Sequence, residues 1–169
     1  MASNHPQPFT LLSQYFWLIC LAISIVNYGI ARRRIHLNGS NVDVALHYLR
    51  WFALAGALPW ALMGIGQLTG LTPTVWYYFR PQDLNPFVVL WFACIFAVTI
   101  IYAVWVLLMG GAQKVREFEL LSAFGMPNKR PISERLIKIT AALGPPFFVL
   151  WIWLAITHDA PLPCEQSGR

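Results

Sequence analysis

The chain has 169 residues, 57% of them hydrophobic and only 11% charged, against about 25% charged in a soluble domain. That balance excludes an ordinary water-soluble globule, and the length leaves room for four helices, their connections and two tails. The formal net charge of +5 implies no nucleic-acid partner, because the cations flank apolar runs and do not form a stripe interleaved with stacking aromatics.

Four apolar runs, 11–31, 51–68, 86–109 and 139–156, contain no Lys, Arg, Asp, Glu or His. Each approaches or passes the roughly 20 residues that cross a hydrocarbon layer as a helix. They predict an all-α fold, a four-helix transmembrane bundle forming a single integral membrane domain over residues 1–169. The spans are expected at about 11–31, 51–70, 86–109 and 136–157, with a short amphipathic interfacial helix after the third. The lipid bilayer is therefore the first expected partner.

The first run ends at Arg32, Arg33 and Arg34, a stop-transfer flank, and no Lys or Arg precedes it as a secretory signal would require. Span one is expected to be retained. Asn38-Gly39 marks a turn, and Ser40-Asn41-Val42-Asp43 reads as a capping box with Asp in the place of Glu, which starts the second helix near Ser40. Pro59 interrupts that helix and predicts a bend, while Ala53, Ala57 and Ala61 put small residues on one face. The following loop carries Trp76, Tyr77, Tyr78 and Phe79, rings expected to lie along the interface at headgroup level.

Asn85-Pro86 supplies an N-cap and a first helical residue for span three, which closes at Gly110-Gly111. Over 112–124, Val115, Phe118, Leu121 and Phe124 recur every third residue among Lys114, Arg116, Glu117 and Glu119. That spacing predicts the surface helix, ended by Gly125. A basic turn at 126–131 leads to span four near Ser133. Ten of the twelve Lys and Arg residues lie in the first and third connections. The positive-inside rule then puts those connections in the cytoplasm and both termini on the non-cytoplasmic side of a cell (inner) membrane.

Two constellations are candidates for chemistry. Asp43, His47 and Arg50 are spaced to share one helix face. With Arg32, Arg33 and Arg34 across the turn they form a candidate pocket for a phosphate, a lipid headgroup or an anionic substrate. The plainer alternative has Asp43 capping the helix, His47 solvated and Arg50 snorkelling to headgroups. The second is the helix break at Gly144, Pro145 and Pro146, which frees the carbonyls of Ala141 and Ala142. Such carbonyls hold ions in some transporters, and elsewhere mark a simple kink.

The remaining signals are exclusions. No ionisable group lies inside a run, where one costs about 2.5–3.5 kcal/mol and is rarely present unused. That argues against a proton-coupled exchanger, a proton pump or an intramembrane protease. Cys20, Cys94 and Cys164 have no metal-ligand or redox spacing, and His5, His36, His47 and His158 lie outside the apolar runs. No metal site is expected, and no motif specifies a cofactor. The leading expectation is a non-enzymatic structural or accessory subunit that packs with other membrane protein subunits or with itself. The alternative is a transporter or lipid- or anion-binding protein using the Asp43/His47/Arg50 face and the Pro145-Pro146 break. An enzyme acting on a lipid at the inner interface, with His47 as base, comes third.

Overall fold

A computed structural model describes residues 8–38, 41–120 and 132–157, and among them every regular element is helical. The elements are α1 (Pro8–Asn38), α2 (Val42–Leu68), α3 (Pro86–Leu108), α4 (Gly111–Glu117) and α5 (Glu134–Thr157). Two short 3-10 helices, Val75–Phe79 and Pro81–Asp83, lie between α2 and α3. The four long helices are each long and apolar enough to cross a membrane. The protein is thus an all-α, four-helix transmembrane bundle with a short helix following the third span.

α1 extends beyond its apolar run. Arg32, Arg33 and Arg34 belong to the helix, which continues to Asn38, so they do not form the loop that their charge suggests. Arginine is a good helix former, and 31 residues give a rod of about 46 Å at 1.5 Å per residue. That exceeds the roughly 30 Å hydrocarbon layer, so the basic turns project from it. α2 starts at Val42 with Asn41 at its N-cap and no side-chain cap bond. Ser40, the expected cap, lies outside the described residues.

Packing runs in chain order. α1 lies on α2, α2 on α3 and α3 on α5, with α4 against α3 and α5. Among the described residues α1 and α5 make no substantial contact. α1 uses one stripe: Trp17, Cys20, Leu21, Ser24, Asn27, Tyr28 and Ala31 are half-buried, three or four residues apart. Ile19, Ile23 and Val26, on its other side, are exposed. Gly64 of α2 lets the α1 stripe approach, since a Cβ there would lie 2.5 Å from the Trp17 ring.

The prolines sit within intact helices. Pro59 is buried inside α2, and Pro145 and Pro146 lie inside α5, which is helical from Glu134 to Thr157. Gly144 faces α3, where a Cβ would meet the Thr99 methyl at 3.2 Å. The Thr99 hydroxyl donates to its own helix, to the Ile95 carbonyl at 2.7 Å. Thr140 does likewise, donating to the carbonyls of Leu136 and Ile137. These span hydroxyls are thereby satisfied without a neighbouring helix.

Candidate functional site

The basic end of the bundle is built where α1, α2 and α4 meet. Gly110 ends α3 in the left-handed region, at φ 73, and α4 begins at the next residue. A Cβ on Gly111 would lie 2.5 Å from the Trp105 ring, so the chain turns back directly against α3. α4 is amphipathic: Gly111, Ala112 and Val115 are buried while Gln113, Arg116 and Glu117 are exposed. The helix is shorter than its sequence period suggests. It stops at Glu117, and Glu119 takes a left-handed φ of 48. Leu121, Phe124 and Gly125, which would have extended and closed it, lie outside the described residues.

That left-handed turn brings Glu119 to Arg34 of α1, with Nη1 donating to Oε2 at 3.1 Å. The Arg34 side chain is only 18% exposed, which strengthens the pair relative to a fully solvated one. Beside it, Tyr48 of α2 packs against Phe118, ring to ring at 6.0 Å, and against Trp105 at 5.6 Å. Lys114 stands over the Phe118 ring at 5.4 Å and pairs with Glu117 at 3.0 Å. A buried patch of Ile35, Ala45, Leu46 and Leu49 holds α1 against α2 beneath.

The sequence-derived pocket falls on a different face. Asp43, His47 and Arg50 are all exposed, whereas the packed face of α2 here is Ala45, Leu46 and Leu49. Arg32 and Arg33 are exposed as well. Among the described residues no hydrogen bond or ion pair joins Arg32 or Arg33 to Asp43, His47 or Arg50. Arg34 turns to Glu119, a residue 85 positions away. His47 Nε2 accepts from the Trp51 indole at 3.1 Å, so that nitrogen is occupied and the neutral ring carries its proton on Nδ1. The six residues therefore share one end of the molecule, with only Arg34 drawn into the packed structure.

At the opposite end, the loop after α2 folds back into the bundle. Gly70, at φ 75, turns the chain, and the Thr72 amide donates to the Gly66 carbonyl at 3.0 Å. Tyr78 is 1% exposed, so this ring does not lie along the interface as expected; Trp76 and Phe79 remain exposed. The Tyr78 hydroxyl donates to the Met63 carbonyl at 3.3 Å. With its one proton so used, it accepts from the Thr72 hydroxyl at 3.1 Å. Gly66 makes this possible, because a Cβ there would lie 2.5 Å from the phenol oxygen. Burial pushes the Tyr78 phenol above its ordinary range, and the Thr72 hydrogen bond partly offsets that.

Asn85 then caps α3, its Oδ1 accepting from the Phe87 amide at 3.0 Å while Nδ2 donates to the Leu71 carbonyl at 2.8 Å. The aromatic cluster of Tyr78, Trp91, Phe92, Phe148 and Trp151 fills the space beneath the loop, mostly in edge or tilted geometries. Nothing in the sequence distinguished Tyr78 from its three aromatic neighbours; the Gly66 that admits it is the only local sign.

Among the described residues no three His, Cys, Asp or Glu side chains gather as metal ligands would. Chemically, the basic end offers fixed cations and an aromatic stack, and the opposite end a closed, neutral hydrogen-bond network. Comparison with protein-family models, curated proteins and solved structures gives no match for this chain.

Proposed function

We propose that this protein is a non-enzymatic accessory subunit that packs in the membrane against other membrane proteins or further copies of itself. The observation that carries the reading is a contrast among glycines inside the spans. Gly64 and Gly66 are each required by a neighbour within the chain. Gly29 of α1 and Gly56 of α2 are not: a Cβ at either would meet nothing within 4 Å.

A glycine inside a helix costs about 1 kcal/mol relative to alanine. In a membrane, a small residue on an open face lets another helix come close. α1 supports the same reading, because it is packed along a single stripe and leaves the rest of its apolar surface to lipid or to a partner. The membrane is taken to be the cell (inner) membrane, with the Arg- and Lys-rich connections in the cytoplasm and the segments before α1 and after α5 outside.

The assembly test is crosslinking and sizing in mild detergent. The wild-type protein is expected in a complex larger than one chain. Gly29→Leu and Gly56→Leu should reduce that complex while leaving thermal unfolding unchanged. A clean monomer from wild-type membranes would refute the reading. Orientation is read separately, with a membrane-impermeant thiol reagent on intact cells after Cys20, Cys94 and Cys164 are replaced by Ser. Leu84→Cys should react and Arg33→Cys should not.

A further inference from the structure

An open groove of about 590 Å³ runs between α3 and α5 at the basic end, lined by Leu107, Glu134, Arg135, Lys138, Ile139 and Ala142. Its floor and its rim differ in chemistry. Leu107, Ile139 and Ala142 form an apolar floor that continues into the spans, and Arg135 and Lys138 stand at the mouth.

Lys138 already pairs with Glu134 at 2.8 Å. Arg135 is exposed and has no ion-pair partner among the described residues. The rim therefore keeps a single net positive charge, carried by a guanidinium whose planar donors match two phosphate oxygens. The same rim is the N-terminus of the 24-residue α5, whose dipole also favours an anion. Arg116 of α4 adds positive potential, close enough to act on Glu134.

We propose that this groove seats one anionic phospholipid of the leaflet at the basic end. Its phosphate rests on Arg135 and Lys138, and an acyl chain lies along Leu107, Ile139 and Ala142. The complementarity is specific in two respects. A monoanionic phosphodiester matches the net charge of the rim, where the Glu134 carboxylate repels more highly charged groups. An apolar floor beginning directly below the cations suits a molecule that joins a phosphate to hydrocarbon, and gives nothing to a free ion. The site is separate from the open glycine faces of α1 and α2, so it stands whether or not the protein assembles with partners.

The test is lipid titration of delipidated full-length protein, read by native mass spectrometry, with phosphatidylglycerol and phosphatidylcholine as probes. Wild-type protein should bind one phosphatidylglycerol saturably, about tenfold more tightly than phosphatidylcholine, which has the same phosphate but adds a choline cation that the net positive rim disfavours. Arg135→Gln should abolish the preference, while Arg33→Gln, an exposed cation at the same end, should leave it intact. Ile139→Trp fills the groove from an exposed position and should remove saturable binding of both lipids; it decides the matter if Arg135→Gln does not fold. The proposal is overturned if the preference survives Arg135→Gln or Ile139→Trp, or if Arg33→Gln removes it equally. Complete displacement of the lipid by inorganic phosphate would also overturn it, since the site would then recognise a free anion.

Discussion

The two ends of this bundle are closed by different physics. At one end, Tyr78 is sealed under a loop by neutral hydrogen bonds to Met63 and Thr72, over a cluster of interlocking rings. At the other, a partly exposed ion pair and a stack of half-buried aromatics hold α4 to α1 and α2. A buried neutral network gains strength from its low dielectric surroundings, and every member must be satisfied. A partly exposed pair is still screened by salt and contributes modestly by itself. The end closed by the buried neutral network is therefore expected to be the more rigid, and the end rich in charge the more adaptable.

Substitution at Gly66 breaks that contrast most severely. Gly66→Val forces a side chain into the space held by the Tyr78 and Thr72 oxygens and should cost about 3 kcal/mol, in the upper range for overpacking. Thermal unfolding in detergent would measure it, with loss of the near-ultraviolet circular dichroism of the ring cluster. Tyr78→Phe is milder: it keeps the ring but removes the phenol's hydrogen bonds to the Met63 carbonyl and the Thr72 hydroxyl. A loss of about 1–2 kcal/mol is expected, and Thr72→Val added to it should cost less than it does alone, because the partner is already gone.

Alkaline titration sharpens the same point. The folded Tyr78 phenol is raised above its ordinary value by burial, so the folded state favours the neutral form. Its contribution is fully present below the unfolded phenol range of about 10 and is lost as pH rises through the raised value. Absorbance of phenolate at Tyr78, read as the difference between wild type and Tyr78→Phe, should therefore appear later in the folded protein than in the unfolded chain. The smallest effect is expected at the basic end. Glu119→Gln should lower stability by at most about 1 kcal/mol, and high salt should reduce the wild-type protein by a similar amount while leaving the variant nearly unchanged.

These contrasts also explain what the sequence disclosed. Span positions were legible because a run without charge has few alternatives to a membrane helix, and the Asn85-Pro86 start is realised down to the cap bond at Phe87. Gly110-Gly111 likewise ends α3 where expected. Which face of each span packs was not legible. In a span apolar on all sides, side chains facing lipid and side chains facing protein have the same character. The half-buried stripe of α1 is visible only once α2 is beside it.

The candidate pocket illustrates the same limit. Helical spacing groups Asp43, His47 and Arg50 on one face, but spacing does not say whether that face meets the neighbouring helix. Ala45, Leu46 and Leu49 take that role. The Arg34–Glu119 pair joins residues far apart in the chain, and no local pattern marks it. Tyr78 was concealed for the opposite reason, since an aromatic run beside a span reads as an interfacial belt until a glycine on the facing helix is seen to admit one of its rings.

The row-like order of the long helices bears on how the molecule is made. Each membrane helix after the first packs on the one synthesised just before it, so α2 can settle on α1, and α3 on α2, while the ribosome is still adding the remainder. Little has to be held open for a late arrival, because among the long helices α5 docks chiefly on α3. A chain halted after α3 should therefore already contain the Trp17–Gly64 seam, and biogenesis can proceed as a zipper whose last tooth is the final span.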